Sequence, residues 1–110
     1  MARSFRVLLT QGAAQDLQDI HEYIAGADSL QAADNVLERL LAVRQQLAHF
    51  PERGRHPAEL TALGIGEYRQ ALSKPWRIIY RIAGRAVIIY LIVDSRRGMP
   101  ALLARRLLGG

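Results

Sequence analysis

Residues 67–98 read Glu-Tyr-Arg-Gln-Ala-Leu-Ser-Lys-Pro-Trp-Arg-Ile-Ile-Tyr-Arg-Ile-Ala-Gly-Arg-Ala-Val-Ile-Ile-Tyr-Leu-Ile-Val-Asp-Ser-Arg-Arg-Gly. Three runs rich in β-branched and aromatic residues are separated by Lys-Pro and Ala-Gly-Arg, which is the pattern of an antiparallel meander. In the second run Trp76, Ile78, Tyr80 and Ile82 share one face, and Arg77, Ile79 and Arg81 take the other. In the first, Tyr68 and Leu72 read as core, with Arg69 and Ala71 opposing them. Residues paired across an antiparallel ladder share a face, so Leu72 is expected opposite Trp76. That register predicts a three-residue loop, Ser73-Lys74-Pro75, in place of a two-residue turn. It also sets Arg69 diagonal to Arg77 and Arg81, about 7–8 Å away. Three guanidiniums would then converge on one face with no acid between them, an arrangement that calls for a partner. Val87–Val93 is apolar on both faces and suits a central strand whose register stays open.

Working outward, the N-terminal half is helical. Ser4–Leu9 reads as a first strand with Phe5, Val7 and Leu9 on one side and Arg6 on the other. Thr10 stands at an N-cap position. Ala13, Leu17, Ile20 and Ile24 then recur at helical spacing, Asp16, Asp19 and Glu22 face away, and Gly26 is the expected stop. Asp28 or Ser29 caps a second helix, and Asp28 with Gln31 fits a capping box. Its stripe is Val36, Leu40, Val43, Leu47 and Phe50, widened by Leu37 and Leu41. A short turn between two such helices predicts an antiparallel hairpin, and about twenty residues of helix give a rod of roughly 30 Å.

Pro51 ends the second helix, and Pro51-Glu52-Arg53-Gly54-Arg55 with Pro57 is loop chemistry. Ala58–Leu63 suggests one helical turn. Met99–Leu108 reads as a last helix, with Leu103 and Leu107 on one side and Arg105 and Arg106 in its final turn. The prediction is a single α+β domain over residues 1–110. Its order is β-α-α-β-β-β plus a C-terminal helical segment, with the helical hairpin packed on a mainly antiparallel sheet. One helical layer covers only one sheet face, so the other must be covered by the C-terminal segment or by a second protein.

The 110 residues include no cysteine, which excludes disulfides, thiol nucleophiles and cysteine-based metal sites. Val7-Leu8-Leu9 is too short for a signal-peptide core, and the longest apolar run, Ala86–Val93, falls well short of the roughly 18 residues of a membrane span. A cytoplasmic protein is expected. Net charge is +5, unevenly spread. Residues 1–52 carry four Arg against seven acids, and residues 53–110 carry ten Arg and one Lys against three acids. The cationic half is almost all arginine, suited to planar contacts with carboxylate or phosphate, so an acidic partner is implied.

Few residues point to catalysis. His21, His49 and His56 lack a shared metal spacing and read as structural or exposed. No serine or carboxylate constellation stands out, although Asp94 is placed to orient an arginine. Tyr68, Trp76, Tyr80 and Tyr90 alternate with arginines as in a base-stacking platform, but parity turns Trp76 and Tyr80 toward the helices.

These residues resemble the RelE/ParE toxins of bacterial type II toxin–antitoxin systems over nearly the whole chain. The resemblance rests on Ala14-Gln15-Asp16-Leu17-Gln18-Asp19-Ile20 with Tyr23-Ile24, and on Phe50-Pro51-Glu52-Arg53-Gly54-Arg55. It continues through Tyr68-Arg69, Trp76-Arg77-Ile78-Ile79-Tyr80-Arg81-Ile82 and Asp94-Ser95-Arg96-Arg97. RelE-type members cut mRNA on the ribosome with basic residues of the meander and a tyrosine of the C-terminal segment. Arg69, Arg77 and Arg97 stand at such basic positions here. Ala71 replaces a second lysine, and Leu103 falls where the tyrosine is expected. RNA cleavage by 2′-OH attack needs proton transfer as well as charge stabilisation, and arginine, always protonated, supplies only the second.

The departure favours the ParE-type branch, whose members poison DNA gyrase without known catalysis of their own. The resemblance therefore implies a gyrase inhibitor neutralised by a cognate antitoxin, with no cofactor and no metal. It implies a cationic surface for anionic contacts at Arg69, Arg77, Arg81, Arg96 and Arg97, facing target or antitoxin. The antitoxin is expected to fold an acidic-apolar segment over the arginines and the apolar outer sheet face. The alternatives are a ribosome-dependent mRNA endoribonuclease using Arg69, Arg77 and Arg97, and a plain nucleic-acid-binding module.

Overall fold

The computed structural model describes residues 4–96, 103 and 105–107. Strand β1 (Arg6–Leu9) leads into helices α1 (Gln11–Ala27) and α2 (Leu30–His49). A 3₁₀ turn at Pro51–Arg53 and a one-turn helix α3 (Ala58–Thr61) follow. The meander is β2 (Tyr68–Ser73), β3 (Trp76–Ala83) and β4 (Ala86–Asp94). Leu103 and Arg105–Leu107 are helical. The remainder of the expected Met99–Leu108 helix lies outside the described residues.

Local chemistry sets these boundaries. Thr10 caps α1 by accepting a 3.1 Å hydrogen bond from the Ala13 amide, and Ser29 caps α2 with 3.0 Å from Ala32. The expected stop at Gly26 is passed, because α1 continues to Ala27 and the Asp28 amide still bonds the Ile24 carbonyl. The cap of α2 is thus Ser29, and Asp28 instead closes α1. Phe50 leaves the apolar stripe of α2 to become its C-cap, with 59% of its surface exposed. The hairpin is tied across by His21 Nε2 and Asp34 Oδ1 at 2.8 Å.

The sheet order is β1-β4-β3-β2, with β1 parallel to β4 and the meander antiparallel. β4 is central, as its two apolar faces require, and a bulge at Tyr90 shifts its register against β3. On the helix face, Ala13, Leu40, Val43 and Leu47 pack on Val7, Ile78, Tyr80, Val87, Ile89 and Ile92. The opposite face carries a second core of Leu60, Tyr68, Ile79, Leu91, Val93 and Leu103, so α3 and the C-terminal helical residues are what cover it. A buried Leu or Ile contributes about 2 kcal/mol, more than a surface ion pair. Packing therefore docks α3, and the charged contact described below arrives with it.

Candidate functional site

The site expected from the meander depends on its first turn, and that turn differs from the expectation. Ser73 pairs with Trp76, and Leu72 with Arg77, leaving a two-residue connection, Lys74-Pro75. Tyr68, Gln70 and Leu72 therefore share a face with Arg81, Ile79 and Arg77, while Arg69 lies with Tyr80 on the helix face. The convergence of Arg69, Arg77 and Arg81 does not form. The physical cause is the second core. Tyr68 is buried, but under the opposite face, where its ring meets Tyr90 edge-on at 5.4 Å. Leu72, read as core, is 55% exposed. With both faces partly buried, hydrophobicity alone does not select the register.

Arg77 is interior, only 9% exposed. Its Nη1 and Nη2 donate to Glu59 Oε2 and Oε1 at 2.7 and 2.9 Å, and its Nε donates to Gln70 Oε1 at 2.9 Å. Nη2 reaches Gln70 as well. All three nitrogens are engaged. The hydrogen bond from Arg77 holds the Glu59 carboxyl below its ordinary range, against the opposing effect of burial.

The other expected contacts separate. Arg81 lies 5.9 Å from the Tyr90 ring centroid and 3.9 Å from Glu67, and its Nε is buried with no partner among the described residues. Arg96 folds back on Asp94, with Nε and Nη2 donating to the two carboxylate oxygens at 2.9 and 2.6 Å. That pairing raises the Arg96 guanidinium pKa. Asp94 does orient an arginine, and the partner is its near neighbour. Arg69 donates to the carbonyls of Glu52 and Gly54, both at 3.0 Å, bracing the turn after α2. Arg97 lies outside the described residues. Ala71 packs against the helix-side core, and Leu103 is 1% exposed within the opposite one.

Asp16, which the sequence reading turned away from the apolar stripe, points inward. Asp16 accepts from Arg106 through both oxygens, at 3.1 and 2.9 Å, and from the Ile92 amide at 3.0 Å. Arg106 also donates to the Tyr90 carbonyl at the bulge, 3.2 Å away. Gly12 leaves the space for this, since a Cβ there would come within 2.7 Å of Arg106 Nη2. The signal was present in the spacing: Ala13, Asp16 and Ile20 fall at intervals of three and four, inside the apolar stripe. Glu59 had no such signal, because its partner is met only in the tertiary fold.

Tyr80 anchors the turn after α2. Its ring is fully buried, its hydroxyl donates to the Pro51 carbonyl at 2.6 Å, and it accepts from the Gly54 amide at 3.2 Å. Burial raises its pKa. Gly54 is required by close approach, because an added Cβ would lie 2.6 Å from the Gln70 carbonyl oxygen. Beyond Gly54, Arg55 exchanges backbone hydrogen bonds with Gln70, and His56 Nδ1 sits 3.0 Å from the Tyr68 carbonyl. This segment covers the free edge of β2.

Among the described residues no group of three His, Asp or Glu side chains is arranged to hold a metal, and no helix is long and apolar enough to cross a membrane. A cleft of about 550 Å³ between α1 and the end of β4 is lined by Asp19, Tyr23, Trp76 and the Asp94–Arg96 pair.

Residues 7–99 match the model of a family described as the ParE toxin of the type II toxin–antitoxin system, parDE. Toxin ParE3 of Caulobacter vibrioides is 30% identical over 101 residues, covering 92% of this chain and 97% of the relative. Among solved structures, the fold is similar to a chain of the chromosomal ParDE system from P. aeruginosa. That match has a TM-score of 0.69 and 19% identity, and covers 83% of this chain and 96% of the other. It is also similar to a chain of the RelBE2 toxin–antitoxin complex from Mycobacterium tuberculosis. There the TM-score is 0.62 at 20% identity, with 84% and 92% covered. Sequence match, coverage and shared architecture agree, and the chain belongs to the ParE toxin family of type II toxin–antitoxin systems.

Proposed function

We propose that this ParE-family toxin acts in the bacterial cytoplasm by binding DNA gyrase and inhibiting it, without catalysis of its own, until a cognate antitoxin neutralises it. The observation that carries the reading is the state of Arg77. The arginine that a meander-based ribonuclease would turn toward RNA is buried in a bidentate pair with Glu59 and bonded to Gln70. Leu103, at the position of the expected proton-transferring tyrosine, is packed inside the core. Neither residue is placed to move a proton at a phosphate.

Arg69, Arg81, Arg96 and Arg97 remain the proposed contacts for target or antitoxin, while Arg77 is taken up by Glu59 and Gln70. For the antitoxin, the row Leu8, Ile88 and Arg81, adjacent across β1, β4 and β3, offers apolar surface beside a cation. Leu8 is 41% exposed there. That fits an acidic-apolar segment. Partnership with an antitoxin is supported by the similarity to a chain of the M. tuberculosis toxin–antitoxin complex.

Expression of the chain in growing bacteria tests the reading. Growth arrest with relaxed plasmid and intact reporter mRNA, relieved by the protein of the neighbouring reading frame, is expected. Translation-dependent cleavage of the reporter, lost in Arg77→Ala, would move the assignment to an mRNA endoribonuclease.

A further inference from the structure

Asp16, Asp19, Ile20 and Tyr23 recur at three- and four-residue spacing, so they share one face of α1 and form one wall of the cleft of about 550 Å³. Trp76 and Asp94, directly paired across β3 and β4, form the other wall with Ile92. The Ser95 amide donates to the Pro75 carbonyl at 2.7 Å and ties down the end of the sheet there. A concave space of this size falls within the range of small-molecule sites, roughly 300–1,000 Å³.

Charge in the cleft runs against that of the whole chain. The protein carries +5, yet the lining sets three aspartates, Asp16, Asp19 and Asp94, against two arginines, Arg96 and Arg106, a balance of −1. Both arginines are committed, Arg106 to Asp16 and Arg96 to Asp94. Among the described residues Asp19 has no ion-pair partner, and it accepts a hydrogen bond from the neutral Gln15 Nε2 at 2.8 Å. An entering anion therefore meets no free guanidinium, while a cation meets an uncommitted carboxylate. The rings are uncommitted too. Phe5, Phe50 and Tyr90 each have an arginine 5.8, 5.4 and 5.9 Å from the ring centroid. Among the described residues no arginine lies over Tyr23 or Trp76, and neither packs on another aromatic ring. Tyr23 is 74% exposed. Aromatic faces of this kind attract cations.

We infer that this cleft binds a small organic cation with a flat apolar body, of the aromatic amidine or guanidine class. The cationic fork meets Asp19, and the apolar body lies against Tyr23 and Trp76 over Ile20 and Ile92. The Asp16–Arg106 and Asp94–Arg96 pairs border the site and hold its walls in place. A ligand bound there joins α1 to the end of the sheet, so it stabilises the folded chain. Occupancy does not depend on which protein the chain acts on.

Trp76 is the single tryptophan of the chain, so its emission reports on the cleft directly. Benzamidine titrated into the whole chain is expected to give a saturable change in that emission and a raised melting temperature. Benzoate, the same ring with the opposite charge, should bind about tenfold more weakly or less. Asp19→Asn is expected to weaken benzamidine binding about tenfold, and Tyr23→Ala about threefold. Both residues are exposed, so neither change threatens the fold. Glu38→Gln, on the exposed side of α2, should bind as the wild type does. A linear, unsaturated response to benzamidine, benzoate binding as tightly, full affinity in Asp19→Asn, or equal loss in Glu38→Gln overturns the inference.

Discussion

Glu59 and Arg77 meet beneath the outer face of the sheet as a bidentate pair, with oxygen–nitrogen distances of 2.7 and 2.9 Å. The contact joins the one-turn helix α3 to the beginning of β3, eighteen residues apart in sequence. It converts an arginine that looks like a site residue into a structural one.

Glu59→Gln is therefore expected to destabilise the fold by about 2 kcal/mol, below the roughly 3–5 kcal/mol of a fully buried pair because the Glu59 side chain keeps some solvent contact. The pH dependence follows from the lowered Glu59 pKa. The unfolded carboxyl binds protons more readily than the folded one, so the contribution is present above the ordinary value of 4.5 and is lost as pH falls through the lower folded value. Urea denaturation across that range should show wild-type stability falling with acid more steeply than that of Glu59→Gln. Parallel curves would remove the pair from the stability account.

Tyr80→Phe removes one hydroxyl and leaves the Pro51 carbonyl and the Gly54 amide without their side-chain partner. The expected cost is about 1–2 kcal/mol. Gly54→Ala should cost more, because its Cβ meets the Gln70 carbonyl oxygen. Both are read by urea denaturation, and an Ala variant as stable as wild type would show that the turn can move.

The meander was legible in its existence and not in its register. Val, Ile and Tyr runs broken by Lys-Pro and Ala-Gly-Arg give three strands whatever their pairing. The pairing itself was to be decided by which residues are apolar, and Tyr68 misled there because its face has its own core. A chain with one buried face writes its register in its hydrophobicity, and one with two buried faces does not. Leu60 and Leu103, the residues that create the second face, lie far apart in sequence and carry no local sign of meeting. The helices were read more closely, since a period of 3.6 and a Thr or Ser cap are local features.

Asp16 links α1, the β4 bulge and the C-terminal helical residues through Arg106 and the Ile92 amide. Asp16→Ala is expected to cost about 2–3 kcal/mol, since it strands a half-buried guanidinium and a buried amide. Amide hydrogen exchange at Ile92 should quicken more than at Ile78 on the neighbouring strand. Equal protection at both positions would mean that the clamp contributes little.

The candidate site was legible as composition and not as geometry. An arginine-rich second half was plain, yet Glu59, Glu67 and Asp94 each take one of the expected arginines. Three acids spread along a sequence give no hint of which cation each will meet.

The central claim, that this chain works by gripping gyrase and not by cutting RNA, is tested most directly by supercoiling of relaxed plasmid with purified gyrase. Increasing amounts of the chain are expected to abolish supercoiling and leave linear DNA once gyrase is denatured. Full supercoiling with the chain in excess, and no broken DNA, would contradict it.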